Sequence, residues 1–229
     1  MQHEVVLGLD TSGSVLLMAA ARDGKHVCRR RTGIQQERLL FPTVYAALQA
    51  VGGKLQEVKK VCLVRGPGRF TGIRIALTFA SMLQQLNGAQ VYGITLFELL
   101  RRQTEKSSAF LKWKKEHPQG AIGVVLHAFR EEYFLQIFDN SQAQPLWLSH
   151  GELLQRLAAY EHPLFLAGTD KNRESLISLT QGRYALAAKQ DCRVRPEELL
   201  NLAQDDACTK QALEPLYLKP ARFELMKPQ

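Results

Sequence analysis

Most of the signatures that announce a common chemistry are missing from this chain. Its 229 residues include four cysteines, Cys28, Cys62, Cys192 and Cys208, far apart and without a Cys-x-x-Cys pair. That excludes the usual zinc-knuckle and dithiol spacings and predicts free thiols in a reducing compartment. None of the six histidines stands four residues from another, so no His-x-x-x-His clamp can form on one helix. No metal and no cofactor are expected, although a metal site assembled from distant residues stays open. No apolar run approaches the ~20 residues of a membrane span. Met-Gln-His-Glu leads straight into a strand with no basic and apolar leader, so the expectation is a cytoplasmic protein without membrane contact. No Gly-Lys-Ser/Thr P-loop and no G-x-G-x-x-G fingerprint appear. No Ser/His/Asp or Cys/His set stands out, and no catalytic residue is assigned. Acidic residues are the scarcer sign, 22 Asp and Glu against 30 Lys and Arg, a net charge of +8. Such a balance favours nucleic acid or an acidic partner, or leaves a basic solvated surface.

What is present is a dense run, Gly66-Pro67-Gly68-Arg69-Phe70-Thr71-Gly72-Ile73-Arg74. An apolar stretch, Val61 to Val64, feeds it and a long apolar helix leaves it. Strand, glycine turn and helix N-terminus together can hold an anion, with Gly66, Gly68, Arg69, Thr71 and Gly72 as the candidate residues. The same residues can instead serve a tight turn, with Thr71 capping the helix. Asp10-Thr11-Ser12-Gly13 ends the first strand and offers a carboxylate and two hydroxyls; turn chemistry alone also explains these residue types. A two-metal nuclease would need companions for Asp10, and none is evident.

The order of elements reads as strands over Val5–Leu9, Val15–Ala21 and Val27–Arg31, with a hairpin turn at Asp23-Gly24. A helix over Gln35–Val51, expected to kink or start late because of Pro42, ends at Gly52-Gly53. Then come a strand over Val58–Val64, a helix over Thr71–Asn87, a strand over Val91–Ile94 and a helix over Leu96–Arg102. The polar and basic segment Lys106–Gly120 reads as a boundary, giving lobes of residues 1–105 and 106–229. The second lobe restarts with strands over Ala121–His127 and Glu132–Phe138 and a loop over Asn140–Pro145. Helices over Gly151–Tyr160 and Pro196–Gln204, a strand over Leu164–Ala167 and a last strand over Leu216–Leu218 complete it. Antiparallel strands followed by parallel crossovers predict an α/β protein: mixed sheets with helices on their faces, a two-lobed ribonuclease H-like, actin-like ATPase architecture.

The helix after the glycines has two apolar faces. Ile73, Ala76, Leu77, Ala80 and Leu83 share one, while Ile75, Phe79, Met82 and Leu86 lie nearly opposite. One face packs on the sheet. The other is covered by its own domain or by another chain.

These residues resemble the TsaB (YeaZ) family. The resemblance rests on the strand ending in Asp-Thr-Ser, the helix opening Gln35-Gln36-Glu37-Arg38-Leu39-Leu40, and the Gly-Pro-Gly-x-Phe-Thr-Gly-x-Arg run. His127-Ala128-Phe129-Arg130-Glu131-Glu132-Tyr133 and Glu214-Pro215-Leu216-Tyr217-Leu218 add to it. It is dense over residues 4 to 100 and thin from 140 to 210. It departs from the family pattern at Arg69, Gln35, Phe41 and His127. The resemblance implies an actin-like fold and a non-catalytic paralogue of TsaD, the enzyme that threonylcarbamoylates N6 of adenosine 37 in tRNA. It implies pairing with a TsaD-like protein through helices of the first lobe, which assigns Leu40, Val44, Ile75, Phe79, Met82 and Leu86 to the partner face. A TsaE-like ATPase is the further implied partner. Direct tRNA contact and a homodimer through the same helices are additional expectations. The competing reading is an actin-like-fold ATPase or phosphotransferase; it would need a glycine- and acid-rich hairpin where His127-Ala128-Phe129-Arg130 stands.

Overall fold

A computed structural model describes residues 4–33, 35–139, 144–169, 173–204 and 213–219. The chain opens with β1 (Val5–Asp10), β2 (Val15–Arg22) and β3 (Lys25–Thr32), then α1 (Gln36–Val51), β4 (Val58–Val64), α2 (Phe70–Asn87) and β5 (Gln90–Ile94). Next are α3 (Leu96–Glu105), α4 (Ser108–Glu116), β6 (Ala121–Phe129), β7 (Glu132–Phe138) and β8 (Leu146–Ser149). The last elements are α5 (His150–Ala158), β9 (Leu164–Ala167), α6 (Arg173–Thr180), β10 (Ala185–Leu186) and α7 (Pro196–Gln204). Two compact units result: Met1–Leu96 with Arg195–Leu216, and Phe97–Val194 with Tyr217–Gln229.

In the first unit the strand order is β3-β2-β1-β4-β5. β1 pairs antiparallel with β2, and β2 with β3; β1 to β4 and β4 to β5 are parallel. Strand alternation sends Val5, Leu7 and Leu9 of β1, with Leu16, Met18 and Ala20 of β2, into one core. There they meet Leu40, Val44, Ala47 and Leu48 of α1 and Ile73, Ala76, Phe79, Ala80 and Leu83 of α2. α7 covers the opposite face of β1, β2 and β4. Its Leu199 lies over Gly8, where a Cβ would stand 2.8 Å from the leucine side chain.

The second unit repeats the plan. Its order is β10-β9-β6-β7-β8, so first, second, third, fourth and fifth strands occupy the same places as before. β6/β7 and β7/β8 are antiparallel, β6/β9 and β9/β10 parallel. Leu153 and Leu157 of α5 and Leu176 of α6 fill one core with Val125, Leu135, Leu164 and Leu166. Phe110 and Trp113 of α4 meet Phe165 with ring centroids 5.3 and 5.4 Å apart. The α/β class, the mixed sheets and the ribonuclease H-like order expected from the sequence are borne out in both units.

Several local expectations are corrected. α1 starts at Gln36 and continues through Pro42, so of the two expected effects of the proline the late start does not occur. Thr43 Oγ1 donates to Leu39 O at 2.7 Å in the turn around the proline. Lys106–Gly120 is not merely a polar connection, because α4 lies inside it. Ser107 caps that helix by accepting from Phe110 N at 3.2 Å. Leu216–Leu218 is not a strand, although Leu216 N donates to Arg65 O at 2.8 Å. β8, α6 and β10 lie where the sequence reading placed no element. Of the expected Asn140–Pro145 loop, residues 140–143 lie outside the described residues, as does Cys208. The division at residue 105/106 differs from the two compact units: Phe97–Glu105 goes with the second, and Arg195–Leu216 with the first. The apolar side of α7, with Leu199, Leu200, Leu202 and Ala203 all buried, accounts for that return.

Candidate functional site

Two places in the first unit hold the candidate residues: the junction between the β1–β2 hairpin and the glycine loop, and the outer face of α1 and α2.

At the junction, Asp10 is buried at the end of β1. Its Oδ1 accepts from Ser12 N at 2.8 Å and from Ser12 Oγ at 2.6 Å. Burial pushes the Asp10 carboxyl above its usual range; the two Ser12 bonds and the nearby Arg30 charge pull the other way. Thr11 Oγ1 donates to Gly72 O at 2.7 Å, and Arg69 N donates to Ser12 O at 2.7 Å. Gln36 Nε2 donates to Gly13 O at 3.0 Å and ties the start of α1 to the same hairpin. The hairpin therefore sits directly against the first turn of α2. A Cβ on Gly68 would collide with the Ser12 carbonyl, and one on Gly72 with the Thr11 carbonyl. Those two positions are glycine because another backbone occupies the space. Gly66 accepts from Leu96 N at 2.8 Å through its carbonyl and precedes Pro67 through a cis bond.

Arg69, not Thr71, is the residue before the first turn of α2, and it caps the helix with no side-chain bond. Thr71 is the second helical residue and lines the groove described next. The expected capping role of Thr71 is thus corrected: its hydroxyl sits inside the helix rather than ahead of it. The N-terminal donor that a phosphate would need is in part used internally, by the Arg69 N–H on Ser12.

The outer face is apolar and open. A groove of about 620 Å³ runs between α1 and α2, lined by Leu40, Phe41, Phe70, Ile75, Phe79 and Met82, with Glu37, Thr71, Arg74 and Thr78 at its polar margin. Phe41 meets Phe79 edge-on at 5.8 Å. The Arg74 guanidinium lies 3.9 Å from the Phe70 ring centroid. Around the groove, Phe41 is 42% exposed, Tyr45 58%, Phe70 53% and Leu86 73%.

The six residues assigned to this face divide into four groups. Val44 is fully buried in the core. Leu40 and Phe79 are core residues whose edges form the groove floor. Ile75 and Met82 are half-buried on its wall, and Leu86 stands in solvent. Phe41, Tyr45 and Phe70 escaped the sequence reading. The stripe Glu37, Phe41, Tyr45 has i, i+4 spacing on α1 and carries the signal that identifies it.

No group of three or more His, Cys, Asp or Glu placed for a metal lies among the described residues. No helix among them is long and apolar enough to cross a membrane. Among the described residues, Cys28, Cys62 and Cys192 form no disulfide.

Comparison with known proteins adds a family context. A family model described as "TsaD: tRNA N6-adenosine threonylcarbamoyltransferase" matches residues 32–109, which contain α1, the glycine loop and α2. Over 226 residues the chain is 23% identical to the tRNA threonylcarbamoyladenosine biosynthesis protein TsaB of Bacillus subtilis (strain 168), covering 96% of each. Among solved structures, YeaZ from Pseudomonas aeruginosa superposes with a TM-score of 0.63 at 20% identity, covering 94% of this chain and all of that one. A second crystal structure, of a protein described as similar to peptidase YeaZ from Pseudomonas aeruginosa, gives 0.66 at 21% identity with the same coverage. The resemblance to the TsaB (YeaZ) family is borne out over nearly the whole chain.

Proposed function

We propose that this chain is a non-catalytic subunit that pairs with a TsaD-like transferase in the N6-threonylcarbamoylation of adenosine 37 in tRNA. The observation that carries this reading is the groove between α1 and α2 with its exposed aromatic rim. Four large apolar side chains, Phe41, Tyr45, Phe70 and Leu86, are solvent-exposed on two neighbouring helices. An apolar groove with a polar margin of Glu37, Arg74 and Thr78, on helices that expose further apolar side chains, has the make-up of a protein interface. The TsaD family match over residues 32–109 falls on the segment that forms it. The Bacillus subtilis relative, by its name, belongs to tRNA threonylcarbamoyladenosine biosynthesis.

The hairpin–loop junction supports the non-catalytic part. Asp10, the carboxylate at the end of β1, is buried, and its Oδ1 is held by the backbone N–H and the hydroxyl of Ser12. The backbone of Thr11 and Ser12 occupies the ground next to Gly68 and Gly72. In this reading the protein works in the cytoplasm, a TsaE-like ATPase joins the complex, and tRNA touches the chain directly. In isolation the same face joins two copies of the chain.

The test is co-purification of the tagged full-length chain with the TsaD-like protein of the same organism. A stable stoichiometric complex, with negligible ATP hydrolysis by this chain alone, is the expected result. Two separate peaks on size exclusion at micromolar concentration would overturn the reading.

A further inference from the structure

The positive charge of the chain is concentrated at one end of the sequence. Residues 1–96 contain twelve Lys and Arg against five Asp and Glu, and so carry +7 of the net +8. A third of those cations stand on one strand: Lys25, Arg29, Arg30 and Arg31 all belong to β3, which has no acidic residue.

β3 is an edge strand. It pairs with β2 on one side, and among the described residues no strand pairs with its outer side. Its arginines therefore flank an open row of backbone N–H and C=O groups. The register sets their directions. Arg29 stands opposite Met18 and Arg31 opposite Leu16, and both partners point into the core beneath α1 and α2. Arg29 and Arg31 thus project from the same face, two strand rises or roughly 6.8 Å apart. Arg30 projects from the other face. Arg30 and Arg31 are exposed, and so are Lys25 and His26. Lys25 and Arg31 make no ion pair among the described residues. Arg22, by contrast, is held by Glu57 and Asp23.

A charged edge can serve merely to block pairing with another strand, and one or two lysines suffice for that. Three consecutive arginines reaching both faces go further. Guanidinium forks bind phosphate oxygens bidentately and shed little hydration in doing so. Alternate arginines on an extended strand also repeat on the scale of successive phosphates along one nucleic-acid strand. We propose that the outer edge of β3 is a docking surface for the phosphodiester backbone of RNA. The choice of RNA rests on the proposed tRNA function; the location rests on the strand itself, and none of its residues lines the α1/α2 groove.

The experiment is fluorescence anisotropy of a labelled, unmodified tRNA transcript with the full-length chain across a salt series. Wild type is expected to bind with a steep slope of log K against log salt, and R29Q/R31Q to lose about 1–2 of that slope. Its affinity near 0.1 M salt is expected to fall at least about tenfold, with the melting temperature kept. R29K/R31K restores the slope. K112Q/K115Q, on α4 of the second unit, leaves it unchanged. The inference is overturned if wild type does not bind, if R29Q/R31Q keeps the wild-type slope, or if the α4 variant loses as much. If R29Q/R31Q does not fold, R31Q alone decides, with an expected loss of about one contact in the slope. Pairing of R29Q/R31Q with the TsaD-like protein is expected to persist. Absence of pairing already in wild type would remove the proposed function while this inference stood on the binding data.

Discussion

The two units share a strand order but use the same slots differently. The helix between third and fourth strands is α1 in the first unit, with 16 residues, and α5 in the second, with 9. The helix between fourth and fifth strands is α2, with 18 residues, against α6 with 8. At 1.5 Å per residue these are about 24 and 27 Å against about 13 and 12 Å. Part of that difference follows the shorter strands of the second unit. The outer surfaces differ more. α1 and α2 expose Phe41, Tyr45, Phe70 and Leu86, whereas α5 and α6 expose one large apolar side chain, Ile177, among the described residues. The second unit does expose Leu111, Phe129, Leu146 and Tyr217, but away from α5 and α6, so the shared plan does not itself demand aromatic side chains on the outside of these two helices.

The helices are also held in different ways. α5 begins with a capping box, in which Ser149 Oγ accepts from Glu152 N while Glu152 returns to Ser149 N at 2.7 Å. α4 begins with Ser107. α1 and α2 have no side-chain cap at Gln35 or Arg69. The long helices rely on core packing and on the β1–β2 hairpin, while α4 and α5 add a side-chain cap to their core contacts.

The sharpest way to break the contrast is to charge the exposed surface of each unit in turn. Y45D/L86D is expected to weaken pairing with the TsaD-like protein at least about 100-fold in a titration, with the monomer's melting point moved by no more than about 2 °C. I177D on α6 is expected to leave pairing intact. A reversed result would move the interface to the second unit.

Next come the glycines in the first turns of α2 and α5. Gly72→Ala is expected to cost about 2–3 kcal/mol in urea unfolding, since its Cβ meets the Thr11 backbone carbonyl. Gly151 faces open space, so Gly151→Ala is expected to be neutral or to stabilise by up to about 1 kcal/mol.

The strand-end hairpins give a pH test. Burial raises the Asp10 pKa in the folded state above the unfolded value of 3.8. The folded state therefore holds this proton more tightly, and stability from this group falls as pH rises from about 4 through the folded pKa. Unfolding free energies measured from about pH 4 to about pH 7 should show wild type losing ground to D10N. The matching hairpin of the second unit has His127 Nε2 2.6 Å from Arg130 O at an exposed turn. A parallel pH course for wild type and D10N would remove Asp10 from the account.

The smallest effect concerns the caps. Ser149→Ala is expected to cost about 1 kcal/mol, and Arg69→Ala under about 0.5 kcal/mol, by chemical denaturation.

The elements that sequence reading located best are those whose pattern is local. β4 is a compact apolar run, and α2 ends where Gly88 takes a left-handed turn at φ 64°. α4 was hidden because its lysines dominate the segment while only Phe110 and Trp113 anchor it. β10 has two residues, too few for any period to register. Periodicity separated two sides of α2, with Phe79 falling to the core, but gave α1 only its inward stripe. Leu40 and Val44 turned inward, and Phe41 and Tyr45, one residue on, took the surface. The role of Gly68 and Gly72 was illegible for another reason. It depends on Thr11 and Ser12, some sixty residues earlier, and only the folded chain brings them together.

The return of α7 to the first unit has a consequence in time. A ribosome adding ~5–20 residues per second needs about 5–20 s to travel from the end of β5 to the end of α7. Through that interval the face of β1, β2 and β4 that α7 will cover has no lid, and the apolar side chains of its edge-open sheet are bare to the cell. The nascent first unit thus passes through a half-covered stage whose length is set by translation of Phe97–Val194, the larger part of the second unit. A chaperone or an early partner would meet it there, before the finished protein exists.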